Sequence, residues 1–201
     1  MLISAGVLAL MGITTAETQS PSHLHYSTFA NTISDLGSLQ TPAAGIFNDT
    51  MIVAGLAVIV GALCTHQRKL ITIPLLAFAV GVLGVGIFPE EHHHLHAGFS
   101  LAAFVFGALT AILLAVTERG PFRYVALVLG VVSSFFLVAG GSLLGRALGE
   151  GGVERWVVYP VILWLVAYGM HLLGPRASYC ERSRFSDVEG RAVTLGTPET
   201  P

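Results

Sequence analysis

One short polar turn carries side chains that could transfer a proton or bind a head group. The turn reads Asn31-Thr32-Ile33-Ser34-Asp35-Leu36-Gly37. In a hydrolase or acyltransferase, His96 would act as general base, Asp35 would orient it, and Ser34 or a water would be the nucleophile. In a binding site, Asn31, Ser34 and Asp35 would instead contact a polar ligand. Gly37 permits a left-handed backbone turn, which would let the chain reverse there.

A histidine-rich segment forms the densest group of titratable side chains. It reads Phe88-Pro89-Glu90-Glu91-His92-His93-His94-Leu95-His96. His92 and His96 are four residues apart, so on one helix face they could chelate a metal ion. Consecutive histidines point in different directions, and a solvated loop accounts for the run more simply. We therefore predict no metal and no other cofactor, and His92 and His96 are the candidate ligands if a metal binds.

A third polar segment precedes the last apolar stretch. It reads Gly149-Glu150-Gly151-Gly152-Val153-Glu154-Arg155-Trp156, and Tyr159 follows it. Arg155 could bind a ligand or form an ion pair across the bundle. Trp156 and Tyr159 suit an aromatic belt at the membrane interface, and both are also candidates for ligand contact. The acids considered as partners of Arg155 are Asp35, Asp49 and Glu91.

Asn48 is expected to lie just inside the second apolar stretch, where an amide is costly unless it has a partner or faces a wet cavity. Thr41 is predicted to cap this helix, with Pro42 in its first turn. Asp35 is expected to turn away from bulk water, because its apolar neighbours favour docking of the turn on the bundle. Its predicted partners are Asn48, His96 and Arg155.

The composition indicates an integral membrane protein. Of 201 residues, 53% are hydrophobic and 11% are charged, and the mean hydropathy is +0.73. An average soluble domain carries about 25% charged residues, and a soluble fold needs more polar surface than this chain can supply. The net charge of −2 gives no basic surface for a nucleic acid. Membrane lipids are therefore the expected partners, and self-association into a homo-oligomer stays open.

Apolar stretches of helical length predict an all-α, polytopic transmembrane bundle. A helix needs about 20 mostly apolar residues to cross the hydrocarbon core. The first stretch is short and lacks the basic start of a signal peptide, so we expect a retained helix. Residues 1–174 are predicted to form the six-helix domain, and residues 175–201 a flexible cytoplasmic tail. The six stretches are 1–16, 42–64, 70–88, 95–116, 122–144 and 153–173.

The basic residues predict the orientation. Eight of the ten lie on the side of the bundle that holds both termini, and only Arg146 and Arg155 lie on the other side. The positive-inside rule then makes both termini cytoplasmic in a cell (plasma) membrane and turns the polar segments outward. Cys64 and Cys180 fall on the reducing side, so no disulfide is expected.

Four sequence elements, taken in order, resemble the prokaryotic domain-of-unknown-function family 998 over about residues 1–174. They are the turn at 31–37, Phe47-Asn48, Phe88-Pro89 with His96, and Glu154-Arg155-Trp156 with Tyr159, Pro160 and Trp164. The additional histidines at 92–94 do not belong to that pattern, so His96 is the one histidine of the segment that matches the family. The resemblance implies a multi-pass membrane protein of a family without an assigned reaction.

The Ile-Ser-Asp-x-Gly part of the turn is more distantly similar to one in the eukaryotic membrane family of FGF-receptor-activating protein and the autophagy modulators. Some members of that family take part in lipid-anchor remodelling or membrane-lipid organisation. This likeness implies a role connected with lipids.

Three functions remain open from the residues. The first and favoured one is a polar site that binds or organises lipid or a small amphiphile. The second is a membrane-embedded lipid hydrolase or acyltransferase that uses Asp35 and His96. The third is a structural or assembly factor without a ligand. Catalysis requires Asp35 and His96 within hydrogen-bond reach around an open cavity, whereas a purely structural cluster has its polar groups paired and no cavity.

Overall fold

The computed structural model describes residues 1–20, 26–64, 69–140 and 143–194, without the side chains of 143–144 and 175–194. Regular structure in these ranges is entirely helical, as predicted. Two 3-10 turns, Ser34–Gly37 and Glu90–His92, precede α2 and α4. The helices are α1 (Leu2–Gln19), α2 (Ala44–Cys64), α3 (Lys69–Ile87), α4 (His93–Thr117), α5 (Phe122–Ala139) and α6 (Leu143–Thr194). The predicted tail, Cys180 included, lies outside the described side chains, as do His23 and His25.

Within the described ranges, five helical segments are long and apolar enough to cross a membrane. This confirms a multi-pass membrane protein. The segment α1 is 18 residues long and ends in Glu17-Thr18-Gln19, and it falls outside this set although it packs against α2 and α6. The five segments are Ala44–Cys64, Lys69–Ile87, Glu90–Thr117, Phe122–Ala139 and Gly145–Gly174.

The six helices form a closed ring in chain order. Each helix packs against the next one, α6 returns to α1, and a smaller contact between α4 and α6 crosses the interior. Glycines permit the closest approaches, because the lack of a side chain lets helix backbones come together. A Cβ atom on Gly81 would lie 2.6 Å from the backbone nitrogen of Ala103, and one on Gly86 would lie 2.5 Å from the carbonyl oxygen of Asn48.

Two predicted helix boundaries are wrong at the connection between the last two helices. The fifth helix ends at Ala139 instead of 144, and the sixth begins at Leu143 instead of 153. The glycine-rich stretch predicted as a loop is helical, with a single break at Gly149 (φ 71°, ψ 165°). Tertiary contacts explain the difference, because the first long loop lies directly against this part of α6.

Residues 26–41 fold back onto the bundle, and we call them the docked loop. Its apolar side chains Ile33 and Leu36 are buried in one core cluster with Ile13, Phe47 and Met51. The end of the bundle covered by the docked loop is called the loop end below. Docking of the turn through its apolar residues is therefore confirmed, and it brings the three polar segments of the sequence to one end of the molecule.

Candidate functional site

Glu154 on α6 holds the 3-10 turn of the docked loop. Its Oε2 accepts hydrogen bonds from the backbone N–H groups of Ile33 and Ser34, the latter at 3.3 Å. Its Oε1 accepts a hydrogen bond of 2.8 Å from the Ser34 hydroxyl. Glu154 thus accepts the hydrogen bonds of backbone N–H groups that would otherwise be unpaired at the start of the turn. Glu154 is absent from the predicted site residues, although the motif Glu154-Arg155-Trp156 of the family resemblance contains it.

Arg155 forms its ion pair with Glu17, and the prediction of Asp35, Asp49 or Glu91 as its partner is wrong. Its Nη2 and Nε lie 2.6 and 3.1 Å from Glu17 Oε1. The two side chains are 12% and 20% exposed. The end of α1 approaches α6 only in the folded ring. Because the two residues are far apart in the chain, no local sequence pattern indicates that they pair.

The same guanidinium also fastens the docked loop. Its Nη1 donates to the carbonyl oxygens of Thr28, Asn31 and Gly151 at 3.0, 3.1 and 2.8 Å. A second link is the backbone N–H of Gly151, which donates to the carbonyl of Phe29 at 3.1 Å. Arg155 therefore joins α1, α6 and the docked loop, and its donors are engaged within the chain.

Tyr26 completes this network. Its hydroxyl accepts a hydrogen bond of 2.8 Å from Arg155 and lies 3.3 Å from the carbonyl oxygen of Thr32, to which it donates. Burial raises the pKa of Tyr26 to about 12, against the opposing effect of the Arg155 charge. The phenol consequently stays protonated at neutral pH and keeps its donor for the loop.

Asp35 is partly buried, as expected, but its predicted partners are wrong. Its carboxylate accepts hydrogen bonds from the Asn31 amide at 2.9 Å and from the Thr32 backbone and hydroxyl at 2.9 and 2.8 Å. These donors lie three and four residues earlier in the chain, so Asp35 stabilises the docked loop from within. Asn31 also accepts a hydrogen bond of 3.0 Å from the Ser27 backbone N–H.

Asn48 and His96 are both buried and each has one atom without a hydrogen-bond partner among the described residues. The Asn48 amide donates to the carbonyl of Gly37 at 2.9 Å, and its Oδ1 is the unpaired atom. His96 Nδ1 lies 2.7 Å from the carbonyl oxygen of Phe88, and its Nε2 is unpaired. The first contact ties α2 to the docked loop, and the second ties α4 to the residue that follows α3.

Gly37 has a different role from the predicted one. Among the described residues, only Gly120 and Gly149 have positive φ values, so Gly37 needs no left-handed backbone. A Cβ atom there would lie 2.8 Å from Asn48 Oδ1 and 2.8 Å from the Phe47 ring. Glycine is thus required by the close approach of α2 to the turn.

The second polar segment contributes to docking and forms no metal cluster among the described residues. Glu91 accepts hydrogen bonds from the Ser38 hydroxyl at 2.7 Å and from the Leu39 backbone at 2.8 Å. His92 packs edge-on against Phe88 in the 3-10 turn before α4. In the part of the chain that the structure describes, no three His, Cys, Asp or Glu side chains are grouped to hold an ion.

The interior of the ring contains an apolar cavity of about 80 Å³. Side chains of α1, α2, α3, α4, α6 and the docked loop line it. Its three polar lining residues are Ser34, Ser100 and Glu154. Ser34 is the one predicted site residue at this cavity, since Asn31, Asp35, Asn48, His96, Arg155, Trp156 and Tyr159 do not line it.

The two aromatic candidates lie beside the site. The exposed Trp156 stacks on Phe136, with ring centroids 5.0 Å apart, and this position on the outer surface suits an interfacial belt. Tyr159 packs against the core cluster beneath the docked loop. Neither aromatic residue lines the cavity.

Comparison with curated proteins and with solved structures gave no match. A family model described as "Protein of unknown function (DUF998)" matches residues 3–171, a range that includes the docked loop, the cavity and all its lining residues. The resemblance predicted from the four sequence elements is confirmed, and the chain belongs to this family.

Proposed function

We propose that this integral membrane protein binds or organises membrane lipid or another amphiphile at its loop end. The observation that carries the proposal is the apolar cavity inside the ring, whose lining residues include Ser34 and Glu154 of the docked loop and α6. Ligand sites are typically apolar pockets with a few polar groups that orient the ligand. An apolar chain would occupy the interior, and its head would lie at the docked loop.

The geometry gives less support to the two alternatives. For a hydrolase or acyltransferase, Asp35 and His96 should face one cavity, but each has its own partners and neither lines the cavity. For a purely structural factor, the interior should be filled and its polar atoms paired. The cavity and the unpaired Ser100 hydroxyl oppose that interpretation.

A ligand retained during purification tests the proposed function. Protein extracted in a mild detergent and examined by native mass spectrometry should carry a bound amphiphile in addition to detergent, because burial of its apolar part inside the ring would slow its release. Identification of that molecule after denaturation would name the ligand. A wild-type protein whose mass contains no bound molecule, and which takes up no added amphiphile, would contradict the proposal.

The orientation predicted by the basic residues is part of the same proposal. The loop end would face the outside of the plasma membrane, and both termini would be cytoplasmic. Leu39, which is 66% exposed on the docked loop, is a suitable position for a reporter cysteine. Cys64 lies at the opposite end of α2 and is exposed there.

We expect an impermeant maleimide to label a Leu39→Cys variant in intact cells when both natural cysteines are replaced by serine. A matched variant that keeps only Cys64 should react after permeabilisation alone. Labelling of Cys64 in intact cells, with protection of the cysteine at 39, would reverse the topology.

A further inference from the structure

Two carboxyl groups meet where the docked loop contacts the turn before α4. The 3-10 turns Ser34–Gly37 and Glu90–His92 pack against each other. The side chain of Glu90 lies within hydrogen-bond distance of the Asp35 carboxyl group, and both side chains are only partly exposed. Two ionised carboxylates offer acceptors and no donor, so a hydrogen bond between them requires one proton.

The proton of this pair belongs on Glu90. Asp35 already accepts three hydrogen bonds from Asn31 and Thr32, at 2.8 to 2.9 Å, and such donors stabilise the ionised form of a carboxyl group. Glu90 faces that carboxylate and has a second acid, Glu91, beside it in the chain. A protonated Glu90 donates to Asp35, whereas an ionised Glu90 repels it.

Glu91 joins the same two turns in the opposite protonation state. Its Oε1 accepts hydrogen bonds from the Ser38 hydroxyl and the Leu39 backbone N–H, at 2.7 and 2.8 Å, and such bonds are strongest when the acceptor is ionised. Two adjacent acids therefore hold the docked loop in different ways. Glu91 does so as a carboxylate, and Glu90 does so when it carries a proton.

The charged and titratable groups around the pair come from the elements packed against it. Within the docked loop Tyr26 lies near Asp35, with the Arg155–Glu17 ion pair behind it, while α2 faces the turn with the neutral amide of Asn48. The other groups are Glu91 in the same turn, His93 on α4 and Glu154 on α6. A protonated His93 opposes the pair, because its charge favours an ionised Glu90.

We propose that Asp35 and Glu90 form a proton-dependent latch on the docked loop. When Glu90 takes a proton from the water at the loop end, it donates to Asp35 and holds the loop on the turn before α4. When the proton leaves, two carboxylates face each other and this link between the turns is lost. Ser34 of the same 3-10 turn lines the interior cavity, so a shift of the turn alters the wall of that cavity.

The direction of the pH dependence follows from where the proton is bound. An unpaired glutamic acid loses its proton above about pH 4.3, so the docked state binds a proton that the released loop does not. Docking therefore tightens as the pH falls from neutrality and weakens as the pH rises.

Hydrogen exchange of the docked loop tests the latch on the purified full chain in lipid nanodiscs. Each rate is divided by the intrinsic rate of an unfolded peptide at the same pH. The reporting amides are those of Leu36 and Ser38, which donate to the carbonyls of Ile33 and Asp35. Their protection should rise about three- to tenfold from about pH 7.5 to about pH 5.5, since one linked proton changes an equilibrium by at most about tenfold per pH unit.

Glu90→Gln should abolish this response. The glutamine amide donates to Asp35 at every pH, so protection at about pH 7.5 should already equal the wild-type value at about pH 5.5. Glu91→Gln is the matched control at the next position. It weakens the acceptor of Ser38 and Leu39, so protection should fall at both pH values while the wild-type ratio between them remains.

Glu90→Ala removes the pair without supplying a donor, and it should also lose the pH response. Wild-type protection that stays constant or falls toward the lower pH would overturn the latch. A response of wild-type size in Glu90→Gln or Glu90→Ala would overturn it as well, because His93 or Glu154 would then be its source. Neither result bears on amphiphile binding, which native mass spectrometry measures separately.

Discussion

Replacing Arg155 by alanine should destabilise the protein by about 3 kcal/mol, the lower end of the cost of breaking a buried ion pair, because this pair is partly buried. Glu17 would keep its charge at 20% exposure, and three backbone carbonyls would lose their donor. Arg155→Lys should recover little of the lost stability, because an ammonium group cannot donate in several fixed directions as a guanidinium does. Reversible unfolding in detergent measures the loss.

Arg146 provides the matched control for this prediction. It lies at the same end of α6 but is exposed, so Arg146→Ala should change the free energy of unfolding by less than about 0.5 kcal/mol. Combining Arg155→Ala with Glu17→Gln should recover part of the loss, since the unpaired charge disappears. A loss below about 1 kcal/mol in Arg155→Ala would mean that the pair behaves like an ordinary surface ion pair.

The second large effect is expected for Gly151→Ala. A Cβ atom at this position would lie 2.0 Å from the carbonyl oxygen of Asn31 and 2.5 Å from that of Thr28. Both are backbone atoms of the docked loop, so the loop must move away from α6. We expect a destabilisation of about 2–3 kcal/mol from this overpacking, together with faster hydrogen exchange across residues 26–41.

Gly98→Ala is the control for this substitution. Nothing lies within 4 Å of a Cβ atom on Gly98, which occupies an ordinary helical position in α4. Alanine there should stabilise the helix by about 0.5–1 kcal/mol. If Gly151→Ala were as well tolerated as Gly98→Ala, the docked loop would not be seated against α6.

The membrane class and the six helices could be predicted from the sequence because they depend on local composition. Long apolar stretches need no knowledge of their neighbours to be recognised as helices. The same local view failed at residues 145–152, where glycines typical of a loop lie in a helix supported by Phe29 and Asn31. Tertiary contact decided that boundary.

The polar segments were predicted to lie at one end of the bundle, and they meet there, but the predicted pairs are wrong. Asp35 has partners within its own loop, and Arg155 pairs with Glu17 across 138 positions of the chain. Nothing in the sequence pattern indicates which acid an arginine will meet when the ring closes. Ser100 could not be predicted for another reason. A single serine in an apolar helix attracts no notice in the sequence, and its position beside a cavity is known only from the structure.

Occupation of the interior cavity is the central claim, and one pair of variants tests it most directly. Ala54 is 2% exposed and lines the cavity, whereas its neighbour Val53 is 51% exposed on the outer face of α2. We expect Ala54→Leu to fill the cavity and to abolish the amphiphile detected by native mass spectrometry, while Val53→Leu retains it in the wild-type amount. Full retention of the amphiphile in a folded Ala54→Leu protein would contradict the account, because the molecule would then be bound elsewhere.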